Sequence, residues 1–454
     1  MAKTIAAVAS GNVPAGIGVI RISGERALEI AARVFECADS SDLTALCGYR
    51  AKFGSVIVDG EKADNAVALV FRAPKSYTGE DVVEISVHGG IFIVQKTLKA
   101  VFAAGAEPAE AGEFTKRAFL NGKMDLTQAE SVASLISAEG EDGARASFNA
   151  LQGALSNKIN SVCTRLTDCS ALMAAWVDYP DEEIPELEHG ALLETLSSAQ
   201  SELSALLDGY DKGKIILNGV DAAIAGKPNA GKSTIMNLLA GCEKSIVTHI
   251  EGTTRDIVEQ SVRLKSIVLR LSDTAGIRES DDVVESIGIE KTLSKIDSAD
   301  LILAVFDGSR ELNEDDYRLI EKCKGKRCVA IINKSDLEQK IDKSVLTKEF
   351  SQAVCVCAKE NEALSLIENA VFTALGAAEI DTSAPIIANE RQRLCCESAL
   401  EFVREAYSGA ESGVTYDAVN VMIDSAVDSL LALTGKKATD EVVNSIFSQF
   451  CVGK

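Results

Sequence analysis

The sequence predicts a multidomain chain of α+β and α/β type: an N-terminal α+β domain, a helical bundle domain, and a mostly parallel α/β domain inserted into the helical one. Three observations predict it. A length of 454 residues exceeds what one hydrophobic core serves, so roughly two to four domains are expected. Residues 1–122 carry β-branched runs separated by Gly and Pro. Between residues 218 and 378 short apolar strands alternate with helical patterns, and amphipathic helices flank that stretch on both sides. Insertion of one domain into another is tolerated where the guest's termini lie close together.

Within 1–122, IGVIRIS (17–23), KFGSVIVDG (52–60), AVALVFRAP (66–74) and DVVEISVHGG (81–90) read as strands, and GERALEIAARVF (24–35) and IFIVQKTLKAVFAAG (91–105) as helices. The first part of the helical domain, 123–217, opens at DLTQAESVASLISA, where Thr127 and Glu130 match the S/T-x-x-E capping box. TRLTDCSALMAAW (164–176) and ALLETLSSAQSELSALLDGY (191–210) follow with helical period, separated by the acidic break DYPDEEIPE (178–186). In 218–378 the strands are AAIAG, IVLRLSD, LILAVFD, CVAIINK and AVCVC. The second helical part, 379–454, holds RLCCESALEFVREAYS, DAVNVMIDSAVDSLLALTG stopped by Gly435, and TDEVVNSIFSQF.

Composition bounds the function. The net charge of −22 argues against a broadly basic nucleic-acid surface, so a nucleic-acid partner would need a local site or positive charge from another protein. No apolar stretch approaches the length needed to span a bilayer, so no membrane role is expected. The apolar run Ile5–Ala9 is shorter than a signal-peptide core, which predicts a mature N-terminus and a cytoplasmic protein. Twelve Cys without a C-x-x-C pair, and three scattered His, argue against zinc and for buried reduced thiols.

The chemistry concentrates in the inserted domain. GKPNAGKS (226–233) matches G-x-x-x-x-G-K-[ST] between a strand and a helix, the context that phosphate loop requires. Asn229, Ala230, Gly231, Lys232, Ser233 and Thr234 are therefore expected to hold nucleotide phosphates, with Lys232 on the outer phosphates and Ser233 on Mg²⁺. NKSD (333–336) follows the next-to-last strand. Asp336 there is expected to accept both guanine N–H groups, with Asn333 bracing the loops and Lys334 beside the base. Ala358 of CAK (357–359) is expected to offer its amide to the guanine O6, although Cys357 replaces the usual Ser. DTAG (273–276) places Asp273 on Mg²⁺ through water and the Gly276 amide at the γ-phosphate. GTTRD (252–256) supplies Gly252, Thr253 and Thr254, with Thr254 a second Mg²⁺ ligand in a γ-phosphate-sensing switch. These elements, in this order, predict a Ras-like P-loop GTPase domain binding GTP and Mg²⁺.

Hydrolysis needs a group that orients water. Ras-like enzymes use a Gln directly after DTAG, but Ile277 stands here. Glu285, in the acidic segment RESDDVVESIG (278–288), is a candidate to orient water through a bridge. No arginine finger is evident, and a monovalent cation is the alternative source of charge, with Asn229 and VTHIEGTT (247–254) as ligands. A K⁺-activated GTPase dependent on Glu285 is the expectation.

RISG, YTGEDVVEISVHGG, GEFTKRAFLNGKMDLTQAE, PDEEI, IVTHIEGTTRD, DTAGIRE and the terminal F-C-V-G-K together resemble the MnmE (TrmE) family of tRNA-modification GTPases, over essentially the whole chain. The resemblance implies a protein that works with the flavoprotein MnmG (GidA), which carries FAD, in a heterotetramer. Together they add an aminomethyl or carboxymethylaminomethyl group to C5 of the wobble uridine of certain tRNAs. The one-carbon donor is a tetrahydrofolate derivative, such as 5,10-methylene- or 5-formyl-tetrahydrofolate. It also implies a homodimer through N-terminal domains that resemble the glycine-cleavage T protein, and GTPase domains that pair when GTP and K⁺ are bound. The family's water-orienting acid falls on Glu285, its K⁺ ligands on Asn229, Thr248, Ile250 and Thr253, and its folate contacts on Arg21, Glu84, Lys123 and Lys454. One departure is SGNVPAG (10–16), where the family has a T-P-P-G-R-G-G-like loop near the folate pocket.

The alternative is an Era-like regulatory or ribosome-assembly GTPase without one-carbon chemistry. A nucleotide-gated scaffold that only arranges its partner is a third possibility. The folate contacts and the thiol of the terminal CVGK separate the first reading from these. Cys451 lacks the neighbours of a prenylation signal, with Gly453 and Lys454 following it. Ile446, Phe447 and Phe450 should anchor the preceding turn, and the family resemblance implies that the tail is an arm delivered to the folate site, with Cys451 a candidate for the tRNA chemistry whose role stays open.

Overall fold

The computed structural model describes residues 3–11, 13–178, 189–241, 259–265, 267–273, 296–360, 362–376 and 384–454. It divides into two compact units, one of residues 1–133, 156–199 and 398–454 and one of residues 134–155 and 200–397.

The first unit is built on a seven-stranded sheet: β1 (Ile5–Val8), β2 (Ile17–Ser23), β3 (Phe35–Cys37), β4 (Arg50–Val58), β5 (Glu61–Phe71), β6 (Val82–His88) and β7 (Glu107–Pro108), in the order β3-β4-β5-β6-β2-β1-β7. β1 and β7 run parallel, and every other pairing is antiparallel. The four long strands are those the sequence predicts. β1, β3 and β7 were not anticipated, because strands of four, three and two residues are too short to display a period. Alternation decides the faces. Ile20 and Ile22 of β2 and Val83 and Ile85 of β6 share a core with Leu28 and Ile30 of helix α1 (Ala27–Val34) and Val94 and Val101 of helix α2 (Ile91–Ala103). Arg21 and Glu84, one residue out of phase, stand on the opposite face in register with each other.

The helical part of this unit includes Ala154–Asp178, which buries Ile159, Val162, Leu166, Cys169 and Met173 at alternating spacings of three and four, the stripe of a bundle helix. One sequence expectation needs correction. The helix Leu126–Ser137 does not begin at a Thr127–Glu130 capping box, since both residues lie inside it, buried. The cap is Asp125, whose Oδ1 accepts from the Gln128 amide at 3.0 Å while the Asp125 amide donates to Gln128 Oε1 at 3.0 Å. Thr127 instead turns its hydroxyl inward to Ser156, 2.6 Å away.

The second unit carries a six-stranded sheet: β8 (Val220–Gly226), β9 (Glu259–Leu264), β10 (Ile267–Asp273), β11 (Leu301–Asp307), β12 (Cys328–Asn333) and β13 (Gln352–Cys355), in the order β13-β12-β11-β8-β10-β9. All pairings are parallel except β9 with β10. The central strands β11 and β12 read as unbroken apolar runs because both faces are covered. Leu301, Leu303 and Val305 join a core with helices α4 (Lys232–Ala240) and α7 (Glu362–Leu375). Ile302, Ala304 and Phe306 join another with α5 (Glu314–Cys323) and α6 (Lys343–Glu349). Each such leucine, isoleucine, valine or phenylalanine removed from water contributes about 1.5–3 kcal/mol. The parallel order sends the carboxyl ends of β8, β10, β11 and β12 to one edge. Among the described residues no helix is long and apolar enough to cross a membrane.

Candidate functional site

At that edge the loop after β8 turns into α4. Asn229 takes φ 61° and Gly231 φ 102°, left-handed geometry that coils the backbone around the helix N-terminus. A Cβ on Gly231 would lie 2.0 Å from the Asn333 amide nitrogen, so only glycine lets the two loops approach. Lys232 donates from Nζ to the carbonyls of Gly226 and Lys227, both at 2.8 Å, which holds its ammonium against the loop. Ser233 and Thr234 are exposed at the first turn of α4, and Ala230 is buried. Lys227 forms an ion pair with the buried Asp316 at the N-terminus of α5, fixing the back of the loop. An exposed hydroxyl at a helix N-terminus beside a lysine suits a phosphate carrying Mg²⁺.

The loop after β12 knits three segments together. Asn333, 4% exposed, donates Nδ2 to the Ala230 carbonyl at 3.0 Å and accepts the Ala358 amide on Oδ1 at 3.1 Å. The Ala358 amide, expected to face the guanine O6, is thus engaged by Asn333. Lys334, at φ 65°, pairs through Nζ with Asp307 Oδ2 at 2.6 Å. Burial pushes the Asp307 carboxyl up, but the bonds from Lys334 and Ser309 outweigh it and hold it below the usual range. Asp336 is exposed in the turn that follows. Asp273 closes β10, with its backbone in register with Ile224 of β8. Its side chain, and Thr248, Ile250, Gly252, Thr253, Thr254, Gly276 and Glu285, lie outside the described residues.

The second cluster stands on the N-terminal sheet. Arg21 meets Glu84 Oε1 from both Nε and Nη2, each at 2.8 Å, with side chains only 15% and 21% exposed. The guanidinium lies over the rings of Tyr77 at 5.4 Å and Phe114 at 5.5 Å. Tyr77 bonds Thr115 Oγ1 at 2.8 Å, and burial raises its phenol above the ordinary value. Arg117, on helix α3 (Glu113–Leu120), bridges Glu80 at 3.0 Å and Glu113 at 2.7 Å. Lys123 is exposed and donates to the Pro74 carbonyl at 3.1 Å. SGNVPAG is tied at both ends, by Ser10 Oγ accepting from the Val19 amide at 3.1 Å and by the Ala15 amide donating to Gly89 at 3.1 Å.

The chain's last residues reach this cluster. Helix α8 (Asp440–Phe447) sets Phe447 against Phe119 and Phe450. Val452 pairs with Ala111, the Gly112 amide donates to the Cys451 carbonyl at 3.4 Å, and the Phe114 amide donates to the Lys454 carbonyl at 3.2 Å. Cys451 is exposed and Lys454 half-buried. Tyr77, Phe114 and Arg117 were not singled out from sequence. Tyr77 sits in YTGEDVVEISVHGG, and Phe114 and Arg117 sit in GEFTKRAFLNGKMDLTQAE, so the only available signal was membership of those motifs.

A mostly parallel sheet with a phosphate loop after its first strand and a braced N-K-x-D turn after its fifth defines a P-loop GTPase domain, and the chain is a GTP hydrolase. The family model described as GTP-binding protein TrmE N-terminus matches residues 4–123, and the one described as MnmE helical domain matches residues 126–451. The tRNA modification GTPase MnmE of Acetivibrio thermocellus is 37% identical over 456 residues, covering 99% of both chains. That of Carboxydothermus hydrogenoformans is 38% identical over 460 residues, covering all of both. This chain belongs to the MnmE family of tRNA modification GTPases.

Proposed function

We propose that this chain is a tRNA-modifying GTPase that, with a flavoprotein partner carrying FAD (MnmG in the family), adds an aminomethyl or carboxymethylaminomethyl group to C5 of the wobble uridine. A tetrahydrofolate derivative is the one-carbon donor. In this reading residues 1–122 bind the folate and form a homodimer, 123–217 and 379–454 make the helical domain, 218–378 hydrolyse GTP, and the protein works in the cytoplasm. The observation that supports it most is the tail: Phe114 touches both Arg21 and the Lys454 carbonyl, so the terminal thiol segment and the Arg21–Glu84 pair belong to one cluster.

The roles are those the family resemblance carries onto these residues, and the chemistry of the side chains suits them. Glu84 would accept the paired N–H groups of a pterin, with Arg21 holding the carboxylate in place, and Lys123 and Lys454 would meet the donor's anionic tail. Lys232, Ser233 and the loop Asn229–Thr234 would hold the phosphates and Mg²⁺. Asn333, Lys334 and Asp336 would hold the guanine. Asp273, Gly276, Gly252 and Thr254 would report the γ-phosphate through Mg²⁺. Asn229, Thr248, Ile250 and Thr253 would hold K⁺, and Glu285 would orient water. Cys451 is the candidate thiol of the uridine chemistry.

Mass spectrometry of wobble-uridine nucleosides from a deletion strain tests the reading. Loss of the C5 modification, restored by this gene, supports it. Unchanged nucleosides, together with no calorimetric binding of 5-formyltetrahydrofolate, would favour an Era-like GTPase without one-carbon chemistry.

A further inference from the structure

The turn that carries Asp336 has a support outside the N-K-x-D motif. Lys334 enters the turn at φ 65°, and its carbonyl accepts from the Leu337 amide at 3.1 Å, closing a four-residue turn with Asp336 at its third position. Gln339 reaches back under this turn. Its Nε2 donates to the Lys334 carbonyl at 2.9 Å and to the Leu337 carbonyl at 3.1 Å, so one amide clips both ends. Because both partners are carbonyls, only the NH₂ end can face them, and this settles the orientation of the side chain. Its Oε1 is buried without a bonded partner and lies beside Gly308, where a Cβ would sit 2.5 Å from it and 2.9 Å from the Asn333 carbonyl. The same glycine accepts the Lys340 amide at 2.8 Å and donates to the Asn333 carbonyl at 2.9 Å. The loop after β11 therefore forms the floor on which Gln339 holds the Asp336 turn.

We propose that Gln339 is a positioning residue for guanine specificity: it fixes the turn so that the Asp336 carboxylate meets the ring N–H and the exocyclic amine together. Gly308 must lack a side chain for Gln339 to do so. The inference rests on the reading of Asp336 as the base-recognising group. The discriminating quantity is the ratio of dissociation constants for IDP and GDP, since inosine lacks the 2-amino group and a displaced carboxylate loses the advantage it draws from that group. A purely structural defect would weaken both nucleotides alike.

The experiment measures that ratio on the full-length chain by displacement of a fluorescent GDP analogue. Gln339→Met keeps the volume and removes both donors, and Gly308→Ala displaces the same amide while residue 339 stays a glutamine. Each is expected to shrink the IDP/GDP ratio by about tenfold, the value of one hydrogen bond to a charged acceptor. Asp336→Asn is the control for the underlying reading. If Asp336→Asn shrinks the ratio and Gln339→Met leaves it at the wild-type value, the inference about Gln339 is overturned and the base site stands. If Asp336→Asn also leaves it unchanged, the base site reading falls and the inference falls with it.

Discussion

The Phe114 amide donates to the carbonyl of Lys454, the last residue of the sequence, at 3.2 Å, while the Phe114 ring lies 5.5 Å beneath the Arg21 guanidinium. One residue of α3 thus joins the tail to the polar pair on β2 and β6. The amide serves the tail because it belongs to the first turn of α3, where N–H groups have no partner within the helix.

Docking of the tail depends on Gly453. It takes φ 101°, and a Cβ there would lie 2.1 Å from the Val8 carbonyl. Gly453→Ala is expected to release residues 451–454, since the left-handed geometry alone costs about 1–2 kcal/mol before the clash. Hydrogen exchange at the Phe114 amide should rise, and complementation of wobble-uridine modification should fail while GTP hydrolysis persists.

Asn333→Ala removes the link between the phosphate loop and the Ala358 loop and leaves the Ala230 carbonyl and the Ala358 amide unsatisfied. Two lost buried bonds should weaken GDP binding by about a hundredfold, measured by calorimetry. An affinity within threefold of wild type would show that the loops hold their places without it.

Arg117→Ala strips the cation shared by Glu80 and Glu113, whose side chains are each 19% exposed. Leaving two carboxylates together without it should destabilise the fold by about 3 kcal/mol in urea unfolding. Arg117→Lys should recover only part of this, because an ammonium cannot span both carboxylates as the planar fork does.

Thiol labelling at pH 8 should separate the cysteines. Among the described cysteines, Cys47 and Cys451 are exposed and should react first. Burial pushes the Cys396 thiol up to about 12, so almost none is thiolate at pH 8, and the group becomes reactive only as pH rises toward that value or the fold opens. Cys163 and Cys169, raised by burial as well, should also label more slowly than the exposed pair. Peptide mapping after a short iodoacetamide pulse reads the order.

The sequence by itself determined the phosphate loop, the N-K-x-D turn and the long strands. Each is a local matter: a glycine where the backbone must turn left-handed, an apolar run long enough to cross a covered sheet, a period that assigns Arg21 and Glu84 to one face. Only the tertiary structure decided that Asn333 spans to Ala230 and Ala358, that Gln339 clips the Asp336 turn, and that Lys454 ends against Phe114. The Asn333 and Lys454 contacts join segments far apart in the chain, and no local pattern encodes which distant carbonyl an amide will meet; Gln339 is near its turn in sequence, but its placement depends on Gly308 of the loop after β11. The same reason explains the cap at Asp125. Thr127 and Glu130 satisfy the pattern, but burial of Thr127 against Ser156 draws both into the helix and leaves the cap to Asp125.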